Sequence, residues 1–409
     1  MLIKLRSFYH YLWALGSALY YRFPSRSIAV IAITGTKGKT TTAELISAIL
    51  EQHGEKTAIA STLRFKIGTE IKPNLLKMTM PGRGQLQKFL REAVKACCTY
   101  AIVEMTSEGA KQFRHRGIEL DALIFTNLAP EHIESHGSYE KYLEAKLEIM
   151  KQLSRSTKQN KMIVVNGDDR VAHHFLAAKV PKRLVYKLAD AKPYTVSEHG
   201  VTLRFRRENI SSALPSLFNL YNILAAATVT AELGIPLPTI RQAIEGVKLV
   251  RGRMERIEAR EINPQWPDFA VIVDYAHTPD SLREVYQTFT GRPIIAVFGG
   301  TGGGRDNWKR PVMGTIASEL CRLIILTDED PYNEDPEAIV KTIIRGIKKT
   351  PYKIIMDRRE AIRAALKEAK AGEVIIITGK GTDPYIMGPR GTKTPWDDAT
   401  VVREELKHA

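Results

Sequence analysis

The run TGTKGKTT, from Thr34 to Thr41, constrains this chain more than any other stretch. It ends in Gly-Lys-Thr like a phosphate-binding loop, yet the common loop spaces its glycines as G-x-x-x-x-G-K-[ST]. Here the position five before Gly38 is Ile33, and Gly35 is the other glycine. Context decides what the short form means. SIAVIAI (27–33) is a continuous β-branched run that reads as a buried parallel strand, and TTTAELISAILEQHG (40–54) reads as a helix stopped by Gly54. A strand, a tight glycine turn and a helix start gather free backbone N–H groups and a positive dipole end at one point, where phosphate binds. A merely structural turn needs neither Lys39, which would reach the outer phosphates, nor Thr40, whose hydroxyl suits Mg²⁺. Gly35, Thr36, Lys37, Gly38, Lys39, Thr40 and Thr41 are therefore the candidate phosphate site.

At 409 residues the chain has room for two or three domains. Its net charge of +15 is spread along the chain, without a basic tail, zinc-finger spacing or RNA-binding aromatic signature. That pattern argues for anionic small molecules and against nucleic acid. Three cysteines, two of them adjacent, form neither a disulfide framework nor a metal spacing, which fits a reducing cytoplasm. Residues 1–27 hold Lys4, Arg6, Arg22 and Arg26 and no acid. Their apolar middle, YLWALGSALYY, is about half the ~20 residues of a spanning helix and lacks a signal-peptide cleavage site. It reads as a basic aromatic helix, either packed on the enzyme body or making peripheral contact with an anionic membrane.

Beyond the first helix the pattern alternates. YAIVEM (100–105), DALIFTN (121–127) and KMIVVNGDD (161–169) are strand-like, 84–96 and 138–152 are helical, and 194–207 reads as a hairpin. Helices follow at 218–234 and after IPLP. From about residue 249 the pattern restarts with five buried runs at 269–277, 292–300, 322–330, 352–357 and 373–381. The expected fold is α/β: a P-loop-type parallel-sheet ATP-binding central domain, 28–248, and a smaller Rossmann-like doubly wound domain, 249–409. Ligands collect at the carboxyl ends of such strands. Glu104, Asn127, Asp274, the glycines of 299–304, the acids of 328–330 and Lys380 all stand there, and two such sheets would enclose a cleft.

The motifs TGTKGKTT, VEMTSEG, FTNLAPEHIESHG, YLEAKLEI, FNLYNILAA, GRMERI, DYAHTPDSL, GGTGGGRDNWKRPVMG, DEDPYNEDP and GKGTDPY occur in the order seen in the Mur ligases. The chain resembles the tripeptide synthetases of that family over roughly residues 28–409. The resemblance implies an ATP-dependent amide-forming ligase: a muramoyl-peptide carboxylate takes the γ-phosphoryl group, and an amino acid then displaces phosphate. It implies two Mg²⁺ ions, with Thr40, Glu104, His132 and a carbamylated Lys146 as ligands, and Lys39, Lys146, His277 and Glu104 as catalytic groups. Nucleotide contacts would come from Asn127, Asn219, Asn222, Arg253, Asp274 and His277. Thr79, Pro81, Thr106 and Ser107 would contact substrate, as would Arg305, Asp306, Lys309 and Arg310. Asp330, Pro331, Tyr332, Gly379, Lys380 and Asp383 complete the substrate set.

Three departures stand out. Glu131-His132 replaces the family's Asp-His, and the 27 residues before the first strand are too few for its uridine-binding domain. In the amino-acid selector loop Tyr332 stands where diaminopimelate-adding members carry a clamping arginine. Tyrosine lacks that charge and fork, while the acids Asp328, Glu329, Asp330, Glu334 and Asp335 would attract an ammonium; L-lysine is the expected amino acid. The alternative activity is a folylpolyglutamate-synthetase-like or poly-γ-glutamate-type ligase, which shares the ATP core. MTMPGRGQLQ (78–87) and DYAHTPDSL favour the Mur branch. An amidotransferase-partnered ligase would carry a cysteine cluster that this chain lacks.

Overall fold

A computed structural model describes residues 2–82, 84–131 and 133–408, with side chains from Tyr9 onward. The chain divides into two compact units. The first runs to Lys248 apart from two short segments, and the second comprises Leu249–Ala409 together with those segments, Glu131–Ser135 and Leu214–Ser216.

The first unit is built on an eight-stranded sheet. Its strands are β1 (Ala29–Thr34), β2 (Thr57–Ala60), β3 (Arg64–Ile67), β4 (Glu70–Pro73), β5 (Tyr100–Glu104), β6 (Ala122–Phe125), β7 (Met162–Asn166) and β8 (Lys182–Tyr186). They lie in the order β4-β3-β2-β5-β1-β6-β7-β8. The six strands from β2 to β8 pair in parallel, and β3 and β4 extend the sheet as an antiparallel edge. β1 sits between β5 and β6 and is buried but for Ala29, as expected of a strand covered on both faces. β4 lies fully exposed at the rim, with Glu70 and Lys72 discouraging further pairing. One face packs Val30, Ala32, Val103, Leu123 and Phe125 against the helices Gln85–Lys95 and Tyr139–Arg155. The expected hairpin carries a third strand: β9 (Tyr194–Ser197), β10 (Gly200–Phe205) and β11 (Glu208–Ser212) form a separate antiparallel sheet.

The second unit has a six-stranded sheet of β12 (Glu255–Glu258), β13 (Ala270–Val273), β14 (Ile294–Phe298), β15 (Leu323–Leu326), β16 (Tyr352–Ile354) and β17 (Val374–Ile377), in the order β12-β13-β17-β14-β15-β16. The five expected strands pair in parallel; β12, which the hydrophobic pattern did not announce, joins the edge antiparallel to β13. Its core gathers Val271, Val273, Ile295, Val297, Ile325, Ile375 and Ile377. Before β1 the basic segment forms a helix, Leu2–Tyr20, and a 3-10 turn, Pro24–Ser27. Among the described residues no helix is long and apolar enough to cross a membrane.

Candidate active site

The turn between β1 and the helix Lys39–Gln52 is built for close approach. Gly38 caps the helix at φ +82 and contributes no capping side chain, so the first-turn amides keep their donors open. A Cβ at Gly38 would stand 2.2 Å from Asn222 Oδ1, and one at Gly35 1.9 Å from Thr126 Oγ1, so both positions exclude any larger residue. The loop is pinned from outside. Lys37 N donates to Asn127 Oδ1 at 2.9 Å, Thr126 Oγ1 donates to Lys37 O at 2.7 Å, and Thr36 Oγ1 meets Tyr142 OH at 3.0 Å. Asn222 Nδ2 donates to Asn219 Oδ1 at 3.0 Å behind it. Two ammonium groups converge on one carbonyl: Lys39 Nζ and Lys146 Nζ donate to Gly35 O at 2.9 and 2.8 Å. An open helix N-terminus beside two cations suits a polyphosphate.

Glu104, at the carboxyl end of β5, is fully buried and its carboxylate accepts three bonds. Thr40 Oγ1 donates to Oε1 at 2.8 Å, Thr62 N to Oε1 at 3.0 Å, and Thr62 Oγ1 to Oε2 at 3.1 Å. Thr62 Oγ1 also meets Thr79 Oγ1 at 2.8 Å. A continuous polar chain thus runs from the phosphate loop to segment 78–87. Thr106 caps the helix Ser107–Lys111, and a Cβ at the neighbouring Gly109 would meet Met80 Sδ at 2.3 Å, which places Thr106 and the buried Ser107 beside that same segment. Thr40 Oγ1 and the Glu104 carboxylate are oxygen atoms of the kind Mg²⁺ prefers. His132 lies outside the described residues, and among the described residues no group of three or more His, Cys, Asp or Glu forms a ready metal cage.

The second unit has its own polar centre at the ends of its parallel strands. Asp274, following β13, accepts from Met254 N at 2.8 Å and Ala276 N at 2.7 Å, and burial raises its carboxyl above the ordinary range. Arg253 lies 4.5 Å over the Tyr275 ring. His277 meets Tyr275 O through Nδ1 at 2.9 Å and Glu131 Oε1 through Nε2 at 2.8 Å. Lys380 is fully buried and donates to Asp330 at 2.8 Å, Asp383 at 3.2 Å and Tyr385 O at 2.6 Å. A Cβ at Gly379 would meet Glu329 Oε2 at 2.3 Å, so the glycine is fixed by the carboxylate packed on it. Pro331 O is likewise packed on Gly302, where a Cβ would stand 2.1 Å from it. Asp306 and Lys309 are buried, and Arg310 pairs with Glu334 at 2.8 Å.

Three of the five selector acids are engaged within the chain: Asp330 by Lys380, Glu334 by Arg310, and Asp335 as the cap of the helix Pro336–Ile344. Tyr332 instead carries a guanidinium, Arg305, 5.0 Å over its ring. Sequence reasoning missed Thr62, Tyr142, Glu131 and Tyr275. Tyr142, Glu131 and Tyr275 stand inside the motifs YLEAKLEI, FTNLAPEHIESHG and DYAHTPDSL, and Thr62 stands just past the short run TAIA that forms β2.

The fold and the phosphate loop define an α/β enzyme that handles a nucleoside triphosphate. The family model for the Mur ligase middle domain matches residues 33–230, and that for the Mur ligase, glutamate ligase domain matches residues 252–381. A UDP-N-acetylmuramoyl-L-alanyl-D-glutamate–2,6-diaminopimelate ligase of Caldanaerobacter subterraneus is 36% identical over 403 residues, covering 95% of this chain and 80% of its own. A UDP-N-acetylmuramyl-tripeptide synthetase of Roseiflexus is 38% identical over 418 residues, covering 95% and 81%. The solved structure of a diaminopimelate ligase of the same name as the first relative superposes with a TM-score of 0.64 at 30% identity, covering 97% of this chain and 83% of its own. A Mycobacterium tuberculosis folylpolyglutamate synthase reaches a TM-score of 0.71 at 18% identity, a likeness of fold alone. The chain belongs to the Mur ligase family, ATP-dependent, Mg²⁺-using enzymes that form carbon–nitrogen bonds and release ADP.

Proposed function

We propose that this chain joins an amino acid to the carboxylate of a muramoyl dipeptide in peptidoglycan precursor synthesis, in the cytoplasm. The observation that carries the reading is the chain Thr40–Glu104–Thr62–Thr79, which couples the phosphate loop to the segment assigned to the acceptor. When bound, ATP supplies the phosphoryl group that activates the acceptor carboxylate, and Mg²⁺ neutralises charge during the transfer. Residues 28–248 form the ATP-binding part and residues 249–409 the amino-acid-binding part. Gly35–Thr41 cradle phosphates, with Lys39 meeting the charge that develops. Asn127, Asn219 and Asn222 shape the nucleotide pocket, and Arg253, Asp274 and His277 contribute further nucleotide contacts. Thr79, Pro81, Thr106 and Ser107 hold the acceptor.

Two metal ions are proposed, with Thr40, Glu104, His132 and Lys146 as ligands. Lys146 Nζ shares Gly35 O with Lys39, and an ammonium there repels both its neighbour and any metal. Carbamylation reverses that charge and turns the side chain into an oxygen ligand. The outward face of the helix Leu2–Tyr20 exposes Tyr9, Leu12, Leu15, Leu19 and Tyr20 in a segment with four basic residues and no acid, which supports peripheral contact with an anionic membrane.

For the amino acid, the stacked Arg305 favours a side chain with a distal carboxylate over the lysine expected from sequence. Asp306, Lys309, Arg310, Asp330, Pro331, Gly379, Lys380 and Asp383 frame the site around it. The test supplies ATP, Mg²⁺ and UDP-muramoyl-dipeptide with meso-diaminopimelate, L-lysine or L-ornithine, and reads ADP and product mass. ADP release that requires both substrates, with meso-diaminopimelate preferred, is expected. Lysine used in preference would overturn the selectivity, and turnover only on a folate-type acceptor would overturn the function.

A further inference from the structure

From Ser7 to Tyr21 the chain carries no Lys, Arg, Asp or Glu, so the helix Leu2–Tyr20 is apolar on both faces. One face is used within the first unit. Ser17, Ala18 and Tyr21 pack on the backbone at Gly84 and Gly117, where a Cβ would stand 2.9 Å from Ser17 Cβ and 2.6 Å from Ala18 Cβ. Arg91 fastens the end, donating to Tyr21 O at 2.9 and 2.6 Å and to Arg22 O at 3.1 Å. The opposite face, with Leu12, Leu15, Leu19 and Tyr20 at helical spacing and Trp13 beside them, is left to solvent; Leu19 is 68% exposed and Tyr20 79%. A helix face turned to water is ordinarily polar.

A second element adds apolar side chains next to it. After β4, the buried Asn74 closes a tight turn: its Nδ2 donates to Ser61 O at 2.8 Å and Met78 O at 3.1 Å, and its Oδ1 accepts from Leu76 N at 3.0 Å. The turn so fixed holds Leu75 and Leu76 out in solvent, with Ile71 and Met78 exposed beside them. Trp13 and Met78 line one cavity of about 420 Å³, so helix and turn are neighbours on the surface. Single exposed apolar residues are ordinary, whereas contiguous ones mark an interaction surface. The charge around this one selects its partner. Residues 1–27 and 70–78 hold Lys4, Arg6, Arg22, Arg26, Lys72 and Lys77 against a single acid, Glu70. A second copy would set one basic face against another, whereas anionic lipid neutralises it and accepts tryptophan, tyrosine and leucine at its boundary.

We propose that the helix and the Leu75–Met78 turn form one face that lies in the interface of an anionic bilayer, with Trp13, Leu19, Leu75 and Leu76 towards the acyl chains and the basic residues at the headgroups. This face rests on the helix contact proposed above and adds the turn as a second anchor. Because Met78 precedes Thr79, docking brings the far end of the Thr40–Glu104–Thr62–Thr79 chain to the lipid surface. The test is sedimentation of the full chain with phosphatidylcholine vesicles, with and without phosphatidylglycerol. The anionic vesicles are expected to bind about tenfold more tightly or better, with an affinity that falls as salt rises. Leu19→Glu and Leu76→Glu should each weaken that binding about tenfold, while Leu76→Phe should bind like the wild type. Brominated lipid should quench tryptophan fluorescence in the wild type and much less in Trp13→Phe. Unchanged nucleotide affinity reports that each variant is folded. Wild-type vesicle binding in folded Leu76→Glu would overturn the two-part face and leave the helix contact standing. No preference for anionic vesicles, or self-association in place of vesicle binding, would overturn both. The vesicle assay uses no acceptor, so the ligase reaction stands or falls by its own assay.

Discussion

Lys146 is 2% exposed, and its ammonium donates to the same carbonyl as Lys39 while lying 4.9 Å over the Tyr142 ring. A carbamate there would carry charge that the alanine variant lacks. Lys146→Ala should therefore lose at least a hundredfold in kcat, about 2.7 kcal/mol or more, and regain part of it with acetate or formate, whereas Lys39→Ala should not respond. Full activity in Lys146→Ala would contradict the carbamate. A second residue, His115, sets a pH response. It is 1% exposed with both ring nitrogens unpartnered, and burial, assisted by Arg116, lowers its pKa to about 4. Above about pH 7 the ring is neutral folded and unfolded, so it adds no pH dependence. As pH falls below about 6.5 the unfolded chain gains a proton that the folded one refuses until about pH 4, so stability drops across that window. Between pH 7.5 and 5.5 the wild type should lose about 1 kcal/mol more than His115→Leu in urea titrations. Identical pH dependence in the two proteins would refute this.

In the second unit, a fully buried ion pair joins the helices Arg358–Glu368 and Asp398–Lys407. Arg358 meets Asp398 twice at 2.8 Å, both side chains at most 1% exposed, and donates to Thr378 O beyond β17 at 2.8 Å. Removing one partner strands a buried charge, so Arg358→Leu should cost about 3–5 kcal/mol, and the double change to apolar residues much less; equal losses by calorimetry would contradict this. Legibility followed burial at this scale. The parallel strands β1, β5, β6, β7, β14, β15 and β17 announce themselves as β-branched runs because both faces are covered. β4 (EIKP) and β12 (ERIE) mix charge with single apolar residues, since an edge strand has little to bury, and no run marks them. Glu104 and Asp274 were readable as candidate site residues from their places at strand ends. Glu131 was not, because its partner His277 lies 146 residues away and only the fold pairs them.

The whole molecule carries +15, and its relatives, of which it spans about four fifths, act on muramoyl peptides by name. That excess suits two anionic substrates, so kcat/KM should fall as salt rises from low ionic strength. In the proposed reaction ATP activates the acceptor carboxylate by phosphorylating it, and the amine then displaces phosphate. The most direct measurement uses an acceptor dipeptide whose reacting carboxylate carries ¹⁸O on both oxygens. Amide formation then expels one of those oxygens with the phosphoryl group. Each phosphate released with ADP should contain one ¹⁸O, and the amide product should retain the other; unlabelled phosphate alongside amide product would contradict the account.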